Sequence, residues 1–223
     1  MKTIGLLISG IGFEEGTSVW DVAYILKEIE RCNCKPLPMV PRESVERKIS
    51  GPRRKNAPMR NFAVEADLLV RGNVFYIDEI DHKALDALII PGGKGSITIL
   101  SSILRDGTEA QVLPEVRELI AGIFATKKAI GTMGYSATLV TFVLRARIEP
   151  IVTVGDDAQM VELIKRMGAD AVKVQAHEVI FDESNRIIST PGTSPKASLY
   201  RASLGIETLM NEILECEKQI KNP

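Results

Sequence analysis

Ala87-Leu-Ile-Ile90 runs without a polar interruption into Pro91-Gly92-Gly93-Lys94-Gly95, and Thr3-Ile-Gly-Leu-Leu-Ile8 runs in the same way into Ser9-Gly10-Ile11-Gly12. Consecutive side chains of a strand point to opposite faces, so strands apolar at every position must be covered on both sides. Parallel strands between two layers of helices meet that condition. A third such segment, Lys128-Ala-Ile130, leads into Gly131-Thr132-Met133-Gly134-Tyr135-Ser136-Ala137. Helical stripes separate these strands: Val19, Val22, Leu26 and Ile29 after the first, then Val116, Leu119, Ile120 and Ile123 after the second. Further strands are expected at Pro36–Val40, Val74–Ile77 and Ile151–Val154, and further helices at 60–71, 136–144 and around Met160–Met167, where Gly168 supplies the C-terminal cap. Val179–Phe181 and Ile187–Ser189 read as an antiparallel hairpin before a last helix carrying Leu199, Ala202, Ile206, Leu209 and Ile213. The alternation implies an α/β fold with a mainly parallel, doubly wound sheet.

Length and charge bound the rest. A chain of 223 residues, 45% hydrophobic and 26% charged, is expected to form one domain over residues 1–223. Twenty-eight basic and twenty-nine acidic side chains leave no electrostatic reason to seek nucleic acid or an anionic membrane. No run of eighteen apolar residues suits a membrane span, and the apolar start lacks a basic leader and a cleavage site. The odd number of cysteines, Cys32, Cys34 and Cys216, points to a reducing compartment, read as cytoplasmic. With only His82 and His177 besides, no spacing completes a metal site, and no cofactor is expected. The one local charge excess lies between Arg42 and Arg60, read as a solvated loop, with an acidic docking partner as the alternative.

Ligands of open parallel sheets bind at the carboxyl ends of the strands, and three such ends here are rich in glycine. The first turn fails the dinucleotide fingerprint, because Phe13-Glu14-Glu15 stands where a third glycine is due, and no phosphate-binding Walker loop occurs. The junction from Gly131 to Ala137 has the layout of a nucleophile elbow with its central side chain missing, since the nucleophile position is Gly134. Ser136 and Thr132 are candidate replacement nucleophiles, though each needs a base, and capping the next helix is the simpler role for Ser136. Glu14 and Glu15 are candidate acid/base groups or plain complements to a helix dipole.

Ser9-Gly-x-Gly12, Gly16-Thr17, Arg60-Asn61 with Glu65-Ala66, Arg71-Gly72, Pro91-Gly-Gly-x-Gly95, Leu100-Ser101, Lys128-Ala-Ile-Gly131 and Thr190-Pro191 occur in this order along nearly the whole chain. The set resembles the ElbB family, the enhancing lycopene biosynthesis and ES-one proteins of the PfpI-like, class I glutamine amidotransferase-like superfamily. The resemblance implies a flavodoxin-like three-layer sandwich, a homodimer, a glyoxalase-like activity in the relatives, and a pocket at the strand ends. The expected pocket takes in Gly10, Gly12, Glu15, Ser18, Gly92, Gly93, Lys94, Gly95, Met133, Gly134, Tyr135 and Thr190. Carried across residue by residue, the family's elbow cysteine falls on Gly134 and its neighbouring acid on Ser18. The cysteine of its first glycine turn falls on Ile11, the phenylalanine after Gly-Gly on Lys94, the next lysine on Thr98, and the residues after Thr-Pro become Gly192-Thr193-Ser194.

A thiolate that adds to an aldehyde, and an acid that moves its protons, cannot be supplied by glycine and serine at these positions. The expected function is therefore a noncatalytic binder of a small metabolite or a protein. The alternative is an active hydratase or lyase that uses Ser136 or Glu15 in the same pocket. Lys94 or Tyr135 is expected to occupy part of the space over Gly134.

Overall fold

The computed structural model describes residues 1–44, 46–47 and 59–221. In chain order the strands are β1 (Thr3–Leu7), β2 (Lys35–Val40), β3 (Glu46–Arg47), β4 (Arg60–Asn61), β5 (Phe75–Tyr76), β6 (Ala87–Ile90), β7 (Ala129–Met133), β8 (Ile151–Val152), β9 (Asp170–Ala171), β10 (Ile180–Asp182) and β11 (Ile187–Thr190). The α-helices are α1 (Val19–Arg31), α2 (Phe62–Leu69), α3 (Gly95–Thr98), α4 (Ile103–Asp106), α5 (Pro114–Ala125), α6 (Ser136–Leu144), α7 (Ala158–Arg166) and α8 (Leu199–Lys221). Seven strands form the central sheet in the order β10-β11-β7-β6-β1-β2-β5, parallel throughout except for the β10–β11 hairpin.

The two helical layers explain the unbroken apolar runs. Ala87 and Ile89 of β6 join Ile4, Leu6 and Ile188 under α1 and α8, where Val22, Ile25, Ile29, Ile206, Leu209 and Ile213 cover them. Leu88 and Ile90 face the other way, toward Val116, Ile120 and Ile123 of α5 and Leu139 and Val140 of α6. Each fully buried Ile or Leu contributes about 1.5–3 kcal/mol of transfer free energy, so both faces favour the same register. The result is a flavodoxin-like α/β sandwich.

Local chemistry sets the element ends. Ser18 caps α1 by accepting the Asp21 N–H at 3.3 Å, and Asp157 caps α7 by accepting from Gln159 and Met160, both at 3.1 Å. The helix expected from residue 60 begins instead at Phe62, because Asn61 caps it by accepting the Val64 N–H at 2.9 Å while Arg60 and Asn61 pair with β3. The strand expected at 151–154 stops at Val152 and pairs with β9 outside the central sheet. The Thr153 N–H leaves the ladder for Ser189 Oγ at 2.9 Å, and Gly155 then turns the chain with φ +76°. At the far edge, β5 pairs with Met39 and Val40, and among the described residues no strand covers the border of β2 from Lys35 to Pro38.

Of the basic stretch 42–60, residues 45 and 48–58 lie outside the described residues, Arg53-Arg54-Lys55 among them. Arg42 pairs with Asp78 and Glu79, and Arg60 with Glu65 and Glu15. Among the described residues no helix is long and apolar enough to cross a membrane.

Candidate active-site cleft at the strand ends

β6 and β7 lie side by side at the middle of the sheet, so the segments that follow them, Pro91-Gly92-Gly93 and Gly134-Tyr135, meet above its carboxyl edge. Gly134 has φ +53°, its N–H donates to Thr190 O at 2.8 Å, and its carbonyl accepts from Ala137 at 3.1 Å. This is the sharp strand-to-helix turn of a nucleophile elbow, built around a residue with no side chain. A Cβ placed on Gly134 would lie 3.0 Å from the Pro191 carbonyl oxygen, so even a methyl group meets backbone here. Above the turn opens a cavity of about 510 Å³, bounded by Phe13 and Glu14 of the first loop, by Asp156–Gln159 at the start of α7, and by Pro191 and Thr193–Lys196 after β11.

Of the residues expected to form the pocket, Gly92, Gly93, Gly134 and Tyr135 line this cavity. Glu14 lines it too, but its neighbour Glu15 and Gly12 border a separate, open hollow with Arg60 and Glu65. There Arg60 donates to the Ile11 and Glu15 carbonyl oxygens and clamps the first glycine loop. Gly10 packs against Phe62 and Glu65, and Gly95 against Ser9 and Gly16. Met133 is buried beneath α1 and α8, and the Thr190 hydroxyl donates to Glu178 O at 3.0 Å. The Lys94 ammonium turns to Glu14 at 2.6 Å and sits 5.9 Å from the Tyr135 ring centre, so the ring of Tyr135, edge-on to Phe13, occupies cleft space that Lys94 does not.

Ser136 is fully buried. Its hydroxyl donates to Ile90 O at 2.6 Å and accepts from the Met133 N–H at 2.9 Å, tying β6 to β7 instead of capping α6 or facing the cleft. The Thr132 hydroxyl is buried with no partner among the described residues, and it too lies off the cleft.

Sequence reasoning passed over one group, Asp21, which lies one helical turn beyond Ser18 on α1. Its side chain is 1% exposed and lines the cavity. Oδ2 accepts the Gly92 N–H at 3.0 Å and Oδ1 accepts the Thr193 N–H at 2.7 Å. Ser18 Oγ meets Thr193 Oγ1 at 2.7 Å, so the helix cap, the threonine and the carboxyl form one chain of hydrogen bonds. A Cβ on Gly92 would lie 2.3 Å from Asp21 Oδ2 and one on Gly192 2.9 Å, so both loops are stripped of side chains where the carboxyl passes between them. Burial raises its pKa to about 6, against the smaller opposing effect of the hydrogen bonds from Thr193 and Gly92. The sequence carried little signal for this, because an acid in the first turn of a helix is the ordinary complement of its dipole.

Across the cavity the Tyr135 hydroxyl donates to Asp157 Oδ2 at 2.8 Å. Burial and that carboxylate hold the phenol above its usual range, so it stays protonated and donates. Among the described residues the N–H groups of Gly93 and Tyr135 meet no acceptor. Both residues line the cavity beside the elbow.

The cysteines lie at the opposite end of the sheet. Cys32 ends α1, Cys34 immediately precedes the start of β2, and the carbonyl of Cys216 accepts from Arg186, just ahead of β11. None of the three forms a disulfide, and burial pushes the Cys34 thiol upward. Among the described residues no group of three His, Cys, Asp or Glu side chains could hold a metal ion.

No protein-family model matches the chain. It is 27% identical over 225 residues to the rat (Rattus norvegicus) "ES1 protein homolog, mitochondrial", covering 95% of this chain and 83% of that protein. It is likewise 27% identical over 224 residues to the human (Homo sapiens) "Glutamine amidotransferase-like class 1 domain-containing protein 3, mitochondrial", covering 95% and 82%. Among solved structures, an isoprenoid biosynthesis protein with an amidotransferase-like domain from Ehrlichia chaffeensis superposes with a TM-score of 0.86 at 26% identity, over 97% of this chain and 99% of that one. DJ-1beta of Drosophila melanogaster superposes with a TM-score of 0.59 at 11% identity, over 99% and 97% of the two chains, a likeness of fold alone.

Proposed function

The chain is an ElbB/ES1-like protein, and from that kinship we propose that it has given up cysteine chemistry and binds a small polar metabolite non-covalently in the cleft over Gly134. The observation that carries the reading is the elbow itself. The turn keeps the left-handed backbone that aims a nucleophile out of a sheet, and presents only an α-carbon beneath a cavity of about 510 Å³. A volume of that size suits a small molecule, and its walls offer directional partners in the Tyr135 hydroxyl, the two unpaired N–H groups and the carboxyls of Asp21 and Asp156. Three cysteines outside any disulfide support a reducing compartment such as the cytoplasm for this chain, whereas the names of the rat and human relatives place those proteins in mitochondria.

The purified protein should turn over methylglyoxal far more slowly than a relative that keeps the elbow cysteine. Turnover within about tenfold of such a relative, a gap smaller than the roughly 100- to 10,000-fold that a single acid/base group contributes, overturns the reading. A second reading, an enzyme that works by acid/base chemistry in the same cleft, is favoured by one observation: a carboxyl group sits in the cavity wall one turn along α1 from the position the family's acid would hold.

A further inference from the structure

We propose that Asp21 is the proton-transfer group of the cleft, acting on a small carbonyl compound at the carbon next to its carbonyl. The inference rests on the reading of the cavity over Gly134 as a ligand site, and it adds the residue, the substrate class and the step.

Three features of the wall point the same way. Asp21 reaches the cavity only because Gly92 and Gly192 lack side chains, so two loops from different strands are shaped around one carboxyl. Its two oxygens accept the Gly92 and Thr193 N–H groups, one each, against about four lone-pair positions on a carboxylate. The carboxyl therefore keeps acceptor capacity while lining the cavity. The Gly93 and Tyr135 N–H groups border the same space without acceptors, a pair of donors for an oxygen that gains negative charge.

With no nucleophile at the elbow, the chemistry such a wall supports is proton transfer. The Asp21 carboxylate takes a proton from the carbon beside the carbonyl. The C–H electron pair becomes the carbon–carbon double bond, and the carbonyl π pair moves onto oxygen, where the Gly93 and Tyr135 N–H groups hold the enolate. Return of the proton from Asp21 to carbon restores the carboxylate, so no redox partner or leaving group is needed. A carboxyl raised by burial toward the working pH is suited to both halves of this exchange. The other ionisable groups on the cavity are engaged or unlike it in placement. Glu14 is held by Lys94, and Asp157 by the α7 N–H groups and Tyr135, while Asp156 and Lys196 lie on the segments across from α1.

The test uses hydroxyacetone in deuterium oxide, read by proton NMR as loss of its C–H signals, with saturation transfer from protein to probe measured in the same tubes. Wild type should bind the probe and exchange it roughly 100-fold faster than buffer, with a rate that rises with pH through a midpoint near the raised Asp21 value. Asp21→Asn should keep the fold by circular dichroism and fall to the buffer rate, and Asp21→Glu should recover part of the activity. Thr193→Val, which leaves the carboxyl in place but removes a hydroxyl that favours its ionised form, should move the midpoint to higher pH; this readout does not depend on Asp21→Asn folding. Probe that binds without exchanging, or equal exchange by wild type and Asp21→Asn, overturns the assignment and leaves the ligand site standing. Absence of saturation transfer overturns the ligand reading itself, and the assignment with it.

Discussion

Gly134 is held at φ +53° with the Pro191 carbonyl 3.0 Å from where its Cβ would be. A left-handed backbone costs a side-chain-bearing residue about 1–2 kcal/mol, and the carbonyl contact adds to it. Gly134→Ala should therefore lower the melting temperature by roughly 4 °C, measured by differential scanning calorimetry, with the secondary structure unchanged. Asp21 makes a different kind of prediction. Its folded pKa of about 6 lies above the ordinary 3.8, so the folded state binds the extra proton and stability falls as pH rises from about 4 through 6. A shift of that size corresponds to at most about 3 kcal/mol. The margin by which wild type exceeds Asp21→Asn in urea denaturation should shrink by up to that amount between pH 4 and pH 7, and a flat difference would show that the carboxyl titrates normally. Such a residue was out of reach of sequence reading. Position 21 looks like any first-turn acid, and only the approach of two loops from positions 92 and 193 makes it a buried one.

Among elements, the strands with continuous apolar runs were legible because both of their faces need cover: β1 and β6 fall within a residue of where their hydrophobicity places them, while β7 continues three residues beyond Ile130, through Gly131 and Thr132 to Met133. β8 was not, because its end is decided by a side chain from β11, thirty-six residues away, that takes the Thr153 N–H. The cleft divides in the same way. Its glycine-rich walls after β6 and β7 stand out in the sequence, as does Pro191 of the Thr190-Pro191 pair, whereas the walls from α7 and from Thr193–Lys196 carry no motif. Ser136 binds two of these elements together, and Ser136→Ala strands the buried Met133 N–H. A loss of about 2 kcal/mol in urea unfolding is expected, with probe binding in the cleft retained. Arg60 plays the corresponding part between α2 and the first loop. Arg60→Leu leaves Glu65 without its partner in a largely buried setting and frees two loop carbonyls, so a loss of about 2 kcal/mol is expected, with faster proteolytic cleavage between residues 9 and 17.

For the molecule as a whole, one helical layer is unevenly finished. α1 and α8 pack against each other over the sheet, yet Val19 and Trp20 on the first and Leu199, Tyr200 and Leu204 on the second stay exposed, Trp20 by 54% and Tyr200 by 71%. We expect a second copy of the chain to cover this layer, which agrees with the homodimer that the family resemblance implies. Sedimentation equilibrium should return twice the monomer mass, and Trp20→Glu should shift the population to monomer; a wild-type monomer at micromolar concentration would refute it. The opposite rim of the sheet has another fate. Lys35 donates its N–H to Lys2 and Met39 offers its carbonyl to Ile8, so the alternate residues of β2, Pro36 and Pro38, turn their backbone outward along the stretch that β5 leaves bare. Proline has no amide hydrogen to offer, so a stray chain laid along this border would find acceptors and no donors, and fibril growth is starved at the margin where it would otherwise begin.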